Sequence, residues 1–128
     1  MAGTIFIKGV ESVLVMCGPT VISLIANMAK YARLPWDVIL GAEIARAYKP
    51  QPQAYLGSAA ALSLKPQQCM LVAAHNSDLK AALDCGFRTA FVERPFEHGP
   101  GQSTDLVATG NYDFIASDFV DLADQLKC

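Results

Sequence analysis

The sequence predicts an α/β domain built on a parallel sheet, and three observations point to it. First, the stretch from Cys69 to Arg94, CMLVAAHNSDLKAALDCGFRTAFVER, reads as a complete strand–loop–helix–strand unit. A helix between two strands favours a right-handed parallel crossover. Second, Ser12–Cys17 followed by Val21–Tyr31 repeats the order of buried strand and amphipathic helix. Third, 128 residues with 52% apolar and 17% charged side chains suit one domain with a real core.

Taken in order, Thr4–Ile7 is a short β-prone run closed by Lys8 and Gly9. Ser12–Cys17 has the uninterrupted apolar character of a strand buried on both faces. Gly18-Pro19-Thr20 is a turn in which Thr20 can cap the helix Val21–Tyr31. In that helix Val21, Leu24, Ile25 and Met28 share a face suited to packing on a sheet. The uncharged run Ser12–Ala29 is long enough to raise a membrane span, but Gly18, Pro19 and Thr20 interrupt it and its halves differ in period. No membrane association is expected. Glu11 spoils a basic leader, so no signal peptide is read either.

Val38–Gly41 is a short strand, and Glu43–Tyr48 leads from it to Lys49-Pro50-Gln51-Pro52, a stiff extended segment. Pro52 opens a helix to about Leu62, with Tyr55, Ala59 and Leu62 on its apolar side and Gly57 permitting close packing. Met70–Ala74 is the next buried strand, and Ser77 or Asn76 can cap the following helix. That helix carries Leu79, Ala82 and Leu83 inward and stops at Gly86 in a left-handed conformation. Phe87–Val92 is a strand. Pro95–Ser103 is a glycine- and proline-rich loop. Asp113–Ala116 is a last strand, and Ser117 or Asp118 caps a terminal helix with Phe119, Leu122, Ala123 and Leu126 inward.

Chemistry in open parallel sheets gathers beyond the carboxyl ends of the strands. That rule places His75, Asn76, Ser77, Asp78, Glu93 and Arg94 at the working edge. Lys49 is a candidate fixed cation for a carboxylate or phosphate, against the plainer role of a solvated lysine before a helix. Asp78 is either a first-turn aspartate stabilised by the helix dipole or a group that orients Lys49 or a water. His75 can exchange a proton with it. His98 falls in the loop, and no catalytic or metal role is expected of it. A metal site wants converging carboxylates, and beside Asp78 stand Ala73 and Ala74, so no metal is expected. No glycine-rich phosphate loop precedes a helix. The net charge of −2 lacks a basic block and argues against nucleic acid as a partner. Cys17, Cys69, Cys85 and Cys128 form no C-x-x-C pair and read as thiols of a reducing, cytoplasmic setting.

WDVILGAEIARAYKP at 36–50, PQAYL from Pro52, LVAAHNSDLKAA at 71–82, CGFRTAFVERP at 85–95, EHGPGQ at 97–102 and DFVDLADQL at 118–126 occur in this order. Together they resemble the type II 2-haloacid dehalogenases of the haloacid dehalogenase superfamily, over roughly Ser12 to Cys128. The resemblance implies a three-layer, Rossmann-like parallel sheet of the haloacid dehalogenase type. It implies hydrolytic dehalogenation of a short 2-haloacid through an aspartyl ester, with no cofactor and no metal. By the same resemblance Lys49 steadies the nucleophile and Asp78 is the acid of the fourth motif. His75 stands where an asparagine is common, and Ala73 and Ala74 where serines are common. Asn76 and Ser77 join them in support, with Thr20 as the one hydroxyl near the second motif.

The pattern departs from this family at its start. The family's nucleophilic aspartate and the helical cap that follows it have no counterpart, for Phe6-Ile7-Lys8-Gly9 carries no acid. The resemblance therefore divides the chain into an altered segment, 1–11, and a partial core domain, 12–128, incomplete at its N-terminal side. The expectation is that the chain alone is inactive; the alternative function is a non-catalytic domain that binds a partner or itself as a homodimer. Loss of a central strand exposes two strand edges. Either Thr4–Ile7 or self-association would cover them.

Overall fold

The structure is a computed structural model and describes residues 3–7, 15–18 and 21–127. Its strands are β1 (Gly3–Ile7), β2 (Val15–Gly18), β3 (Val38–Gly41), β4 (Cys69–Ala73), β5 (Arg88–Val92) and β6 (Phe114–Ala116). Its helices are α1 (Ile22–Ala32), α2 (Ala42–Ala45), α3 (Pro52–Ala61), α4 (Asn76–Asp84) and α5 (Phe119–Leu126), with a 3₁₀ turn at Pro66–Gln68.

The strands form one sheet in the order β3-β2-β1-β4-β5-β6. β2 pairs with β3, β4 with β5 and β5 with β6 in parallel, as the crossover argument requires. β1 is antiparallel to both neighbours, with Ile5 opposite Val15 on one side and Leu71 on the other. The segment Thr4–Ile7 thus fills the middle of the sheet, and its reversed direction is the departure from an all-parallel arrangement. The reversal puts Gly3, rather than Ile7, at the end of β1 nearest the carboxyl end of β4, because Thr4 faces Val72 and Ile7 faces Cys69.

β4 explains where the core sits. All five of its residues are buried, and they alternate between two packed layers. Leu71 and Ala73 join Phe91, Tyr55 and Ala59 of α3, and Leu79 and Ala82 of α4. Met70 and Val72 join Ala90, Val92, Ala116 and Leu122 of α5. The sheet is therefore covered by α3 and α4 on one face and by α5 on the other. In α3, a Cβ added at Gly57 would stand 3.0 Å from Ala45 Cβ, so the missing side chain does permit a close approach to α2. Gly86 ends α4 at φ +83°.

Several local expectations are corrected. Along α1 only Ile25 and Ala29 are buried, while Val21, Leu24 and Met28 are exposed. Phe119 is exposed too, because it begins α5 beyond the edge of the layer that Leu122 enters. Thr20 lies outside the described residues. The first N–H of α1, on Ile22, donates instead to Glu43 Oε2 at 3.1 Å, a distant carboxylate doing a cap's work at the positive helix end. His75, rather than Asn76 or Ser77, occupies the N-cap of α4 and makes no side-chain cap bond. Its carbonyl accepts from Leu79 N. Asp118 caps α5 as expected, accepting from Val120 N and Asp121 N at 2.8 Å each. The segment from Tyr48 to Gln51 is a turn closed by Gln51 N donating to Tyr48 O, not an extended run, and Ala42–Ala45 is helical. No helix among the described residues is long and apolar enough to cross a membrane.

Candidate functional site

Beyond the carboxyl end of β4, the chain turns into α4 and presents Asp78 in its first turn. Asp78 is only 5% exposed, so an unpaired carboxylate would be costly there. Two donors converge on it. Lys49 Nζ, itself 18% exposed, lies 2.8 Å from Oδ2. Tyr55 Oη makes a short hydrogen bond to Oδ1. The ammonium also sits 5.6 Å from the centre of the Tyr55 ring. The turn before α3 supplies the cation, α3 the phenol and α4 the acid, so three separate pieces of the fold close one triad. Tyr55 was expected only as an apolar side chain. Its ring does pack edge-on against Phe87, while the hydroxyl serves Asp78.

Asn76 is a scaffold group at the same edge. Its backbone N–H and Nδ2 donate to Asp105 Oδ1 at 2.8 and 2.9 Å, and Nδ2 also donates to Val107 O at 3.0 Å. Its Oδ1 accepts from Thr109 N and from Tyr112 Oη. One amide thus satisfies all its hydrogen-bonding capacity by holding the 105–112 loop against the sheet. Burial, opposed by a hydrogen bond with Thr109 and aided by Asp105, leaves the Tyr112 phenol above its ordinary pKa. Ser77 is exposed in the first turn of α4.

His75 faces other partners. Its Nε2 lies 2.9 Å from Glu97 Oε2, and its ring centre is 6.1 Å from that of His98. Arg94 Nη1 reaches the other oxygen of Glu97 at 3.2 Å. His75 and Asp78 therefore serve different groupings: the lysine and the phenol go to Asp78, and the loop carboxylate goes to His75. Glu97 and His98 gave no periodic signal in the sequence, since both sit in an irregular loop whose folding back onto β4 only the tertiary structure defines. Cys69 is buried and its thiol is pushed up by that burial. Cys85 is raised by burial and by Asp84.

No protein-family model and no curated protein sequence matches the chain. Solved structures do. An L-2-haloacid dehalogenase is 50% identical, with a TM-score of 0.85 over 88% of this chain and 49% of its own. A defluorinating L-2-haloacid dehalogenase is 46% identical, with a TM-score of 0.84 over 91% of this chain and 55% of its own. The L-2-haloacid dehalogenase of Xanthobacter autotrophicus, solved with chloropropionic acid covalently bound, shares the fold at 18% identity, with a TM-score of 0.68 over 84% of this chain and 51% of its own. The chain spans about half the length of the solved structures that it matches.

Proposed function

Because the chain belongs to the L-2-haloacid dehalogenase family over the part that it spans, we propose that its triad of Lys49, Asp78 and Tyr55 is the supporting half of a site for hydrolytic dehalogenation of a short L-2-haloacid. In that chemistry a carboxylate oxygen attacks C2, the carbon–halogen bond breaks, and the halide leaves with the bonding electrons. Water then adds to the carbonyl carbon of the ester, loses a proton, and releases the 2-hydroxy acid with the carboxylate regenerated. Lys49 is placed to hold an anionic nucleophile or substrate carboxylate, and Asp78 keeps the lysine oriented and accepts a proton from water. Asn76 supports the edge by fixing its loop, with Ser77 beside it. The reaction is read as needing no cofactor.

The observation that carries the reading is what stands opposite this triad. The centre of the sheet is filled by β1, whose residues Gly3–Ile7 are GTIFI and include no carboxylate. Lys49 and Asp78 can position and stabilise, but they cannot replace an ester-forming aspartate at that strand end. We therefore read this chain as inactive alone, in a cytoplasmic setting. Incubation with L-2-chloropropionate followed by intact-mass measurement tests this directly. An unchanged mass is expected. An ester mapped to any carboxylate of the chain would overturn it.

A second reading, a non-catalytic domain that binds a partner or a second copy of itself, is favoured by α1. Val21, Leu24, Met28 and Tyr31 recur at three- and four-residue spacing and all are exposed. Sedimentation of the purified chain as a dimer would support it, and a monomer at all concentrations would count against it.

A further inference from the structure

We propose that His75, Glu97 and His98 form a binding site for a divalent transition-metal ion of the zinc type. Each residue offers one ligand atom, and these atoms lie within 4.8 Å of one another. The site stands apart from the triad of Lys49, Asp78 and Tyr55 and does not depend on the dehalogenase reading.

His75 Nε2 and Glu97 Oε2 are 2.9 Å apart, yet neither ring nitrogen of His75 has an aligned hydrogen-bond partner among the described residues. Close approach without alignment is expected when two lone pairs aim at a third point instead of at each other. Two ligands of a tetrahedral zinc ion with bonds of about 2.0–2.1 Å stand roughly 3.3 Å apart, so binding would open the 2.9 Å pair slightly and draw the three atoms in from their spread of up to 4.8 Å. His75 is 6% exposed, and a ring so buried with no aligned partner on either nitrogen is an unfilled polar group. Two imidazoles and one carboxylate suit zinc and its neighbours, whereas magnesium and calcium prefer oxygen alone.

The surroundings position these donors. His75 is fixed between β4 and α4. Glu97 N donates to Arg94 O, His98 N to Gln102 Oε1, and Gly99 N to Phe96 O, so the loop carrying Glu97 and His98 is pinned at three points. Arg94 binds Oε1 of Glu97 and leaves Oε2 free to face His75. Its positive charge opposes an incoming cation, and this selects a site that relies on imidazole bonding over one that relies on net charge. A cleft bounded by Val72, Ala74, Val92, Arg94 and Phe119 adjoins His75 and Glu97, leaving room for water or a small anion as a fourth ligand. This runs against the expectation of no metal, which rests on the absence of carboxylates beside Asp78; His98 joins through a loop.

The test is zinc titration of the chelator-treated chain by calorimetry, with thermal unfolding read in parallel. One zinc per chain and a raised Tm are expected. His98→Ala and Glu97→Gln, both outside the packed core, should each weaken binding by more than about tenfold while circular dichroism stays unchanged. Absence of stoichiometric binding by the wild-type chain would overturn the proposal. So would binding that both variants retain and that alkylation of the cysteines abolishes.

Discussion

Asp78 brings a carboxylate into a place 5% exposed, and its two oxygens are divided between Lys49 and Tyr55. Removing one donor leaves the other side of the acid short of a partner, which costs more than the lost bond itself. Tyr55→Phe should therefore lower stability by about 1–3 kcal/mol although it keeps the ring packing on Phe87. Lys49→Ala should cost about 3 kcal/mol, the low end for breaking a buried pair, because the lysine is partly solvated. Urea unfolding of both variants checks these values; wild-type stability in both would show that the pair holds nothing. Lys49 and Asp78 were legible from sequence because a lysine before a proline-rich turn and an acid after a buried strand are both local signals. The hydroxyl of Tyr55 was not legible, since an aromatic at helical spacing carries no sign of what its polar end meets.

At the scale of elements, α5 shows how far local rules reach. Asp118 was expected as a cap and is one, accepting from Val120 and Asp121. Asp118→Ala should cost about 1 kcal/mol in chemical denaturation. Asp121 is held below its ordinary pKa by Gln125 first and by the Ser117 backbone N–H next. A depressed folded-state pKa contributes stability above the unfolded value, near pH 4, and that contribution is lost as pH falls through the folded value. Asp121→Asn should accordingly flatten the acid side of the stability profile below about pH 4 and leave its shape at neutral pH unchanged. An unaltered acid limb would contradict this. The same rules misplaced the burial of α1. Its apolar residues do recur at helical spacing, but the spacing does not say whether anything covers Val21, Leu24 and Met28. Nor could it supply Glu43 as the partner of Ile22, which lies 21 residues away along the chain.

For the whole molecule, strand and helix order, the parallel pairs and the position of residues 75–78 beyond the carboxyl end of β4 followed from the unit Cys69–Arg94 and its repeat upstream, because crossover handedness leaves few alternatives. The direction of β1 did not follow. A five-residue strand in mid-sheet has apolar neighbours on both sides, and its composition is the same whichever way it runs. That direction, with the absence of an acid in GTIFI, motivates the proposal that the chain is inactive alone. The most direct measurement is halide release from L-2-chloropropionate by the purified chain, with circular dichroism recorded on the same sample to establish that it is folded. The account predicts a folded protein with no release above the uncatalysed rate, for the wild type and Lys49→Ala alike. Release by the wild type that Lys49→Ala abolishes would contradict it and would mean that this chain supplies its own nucleophile from outside β1.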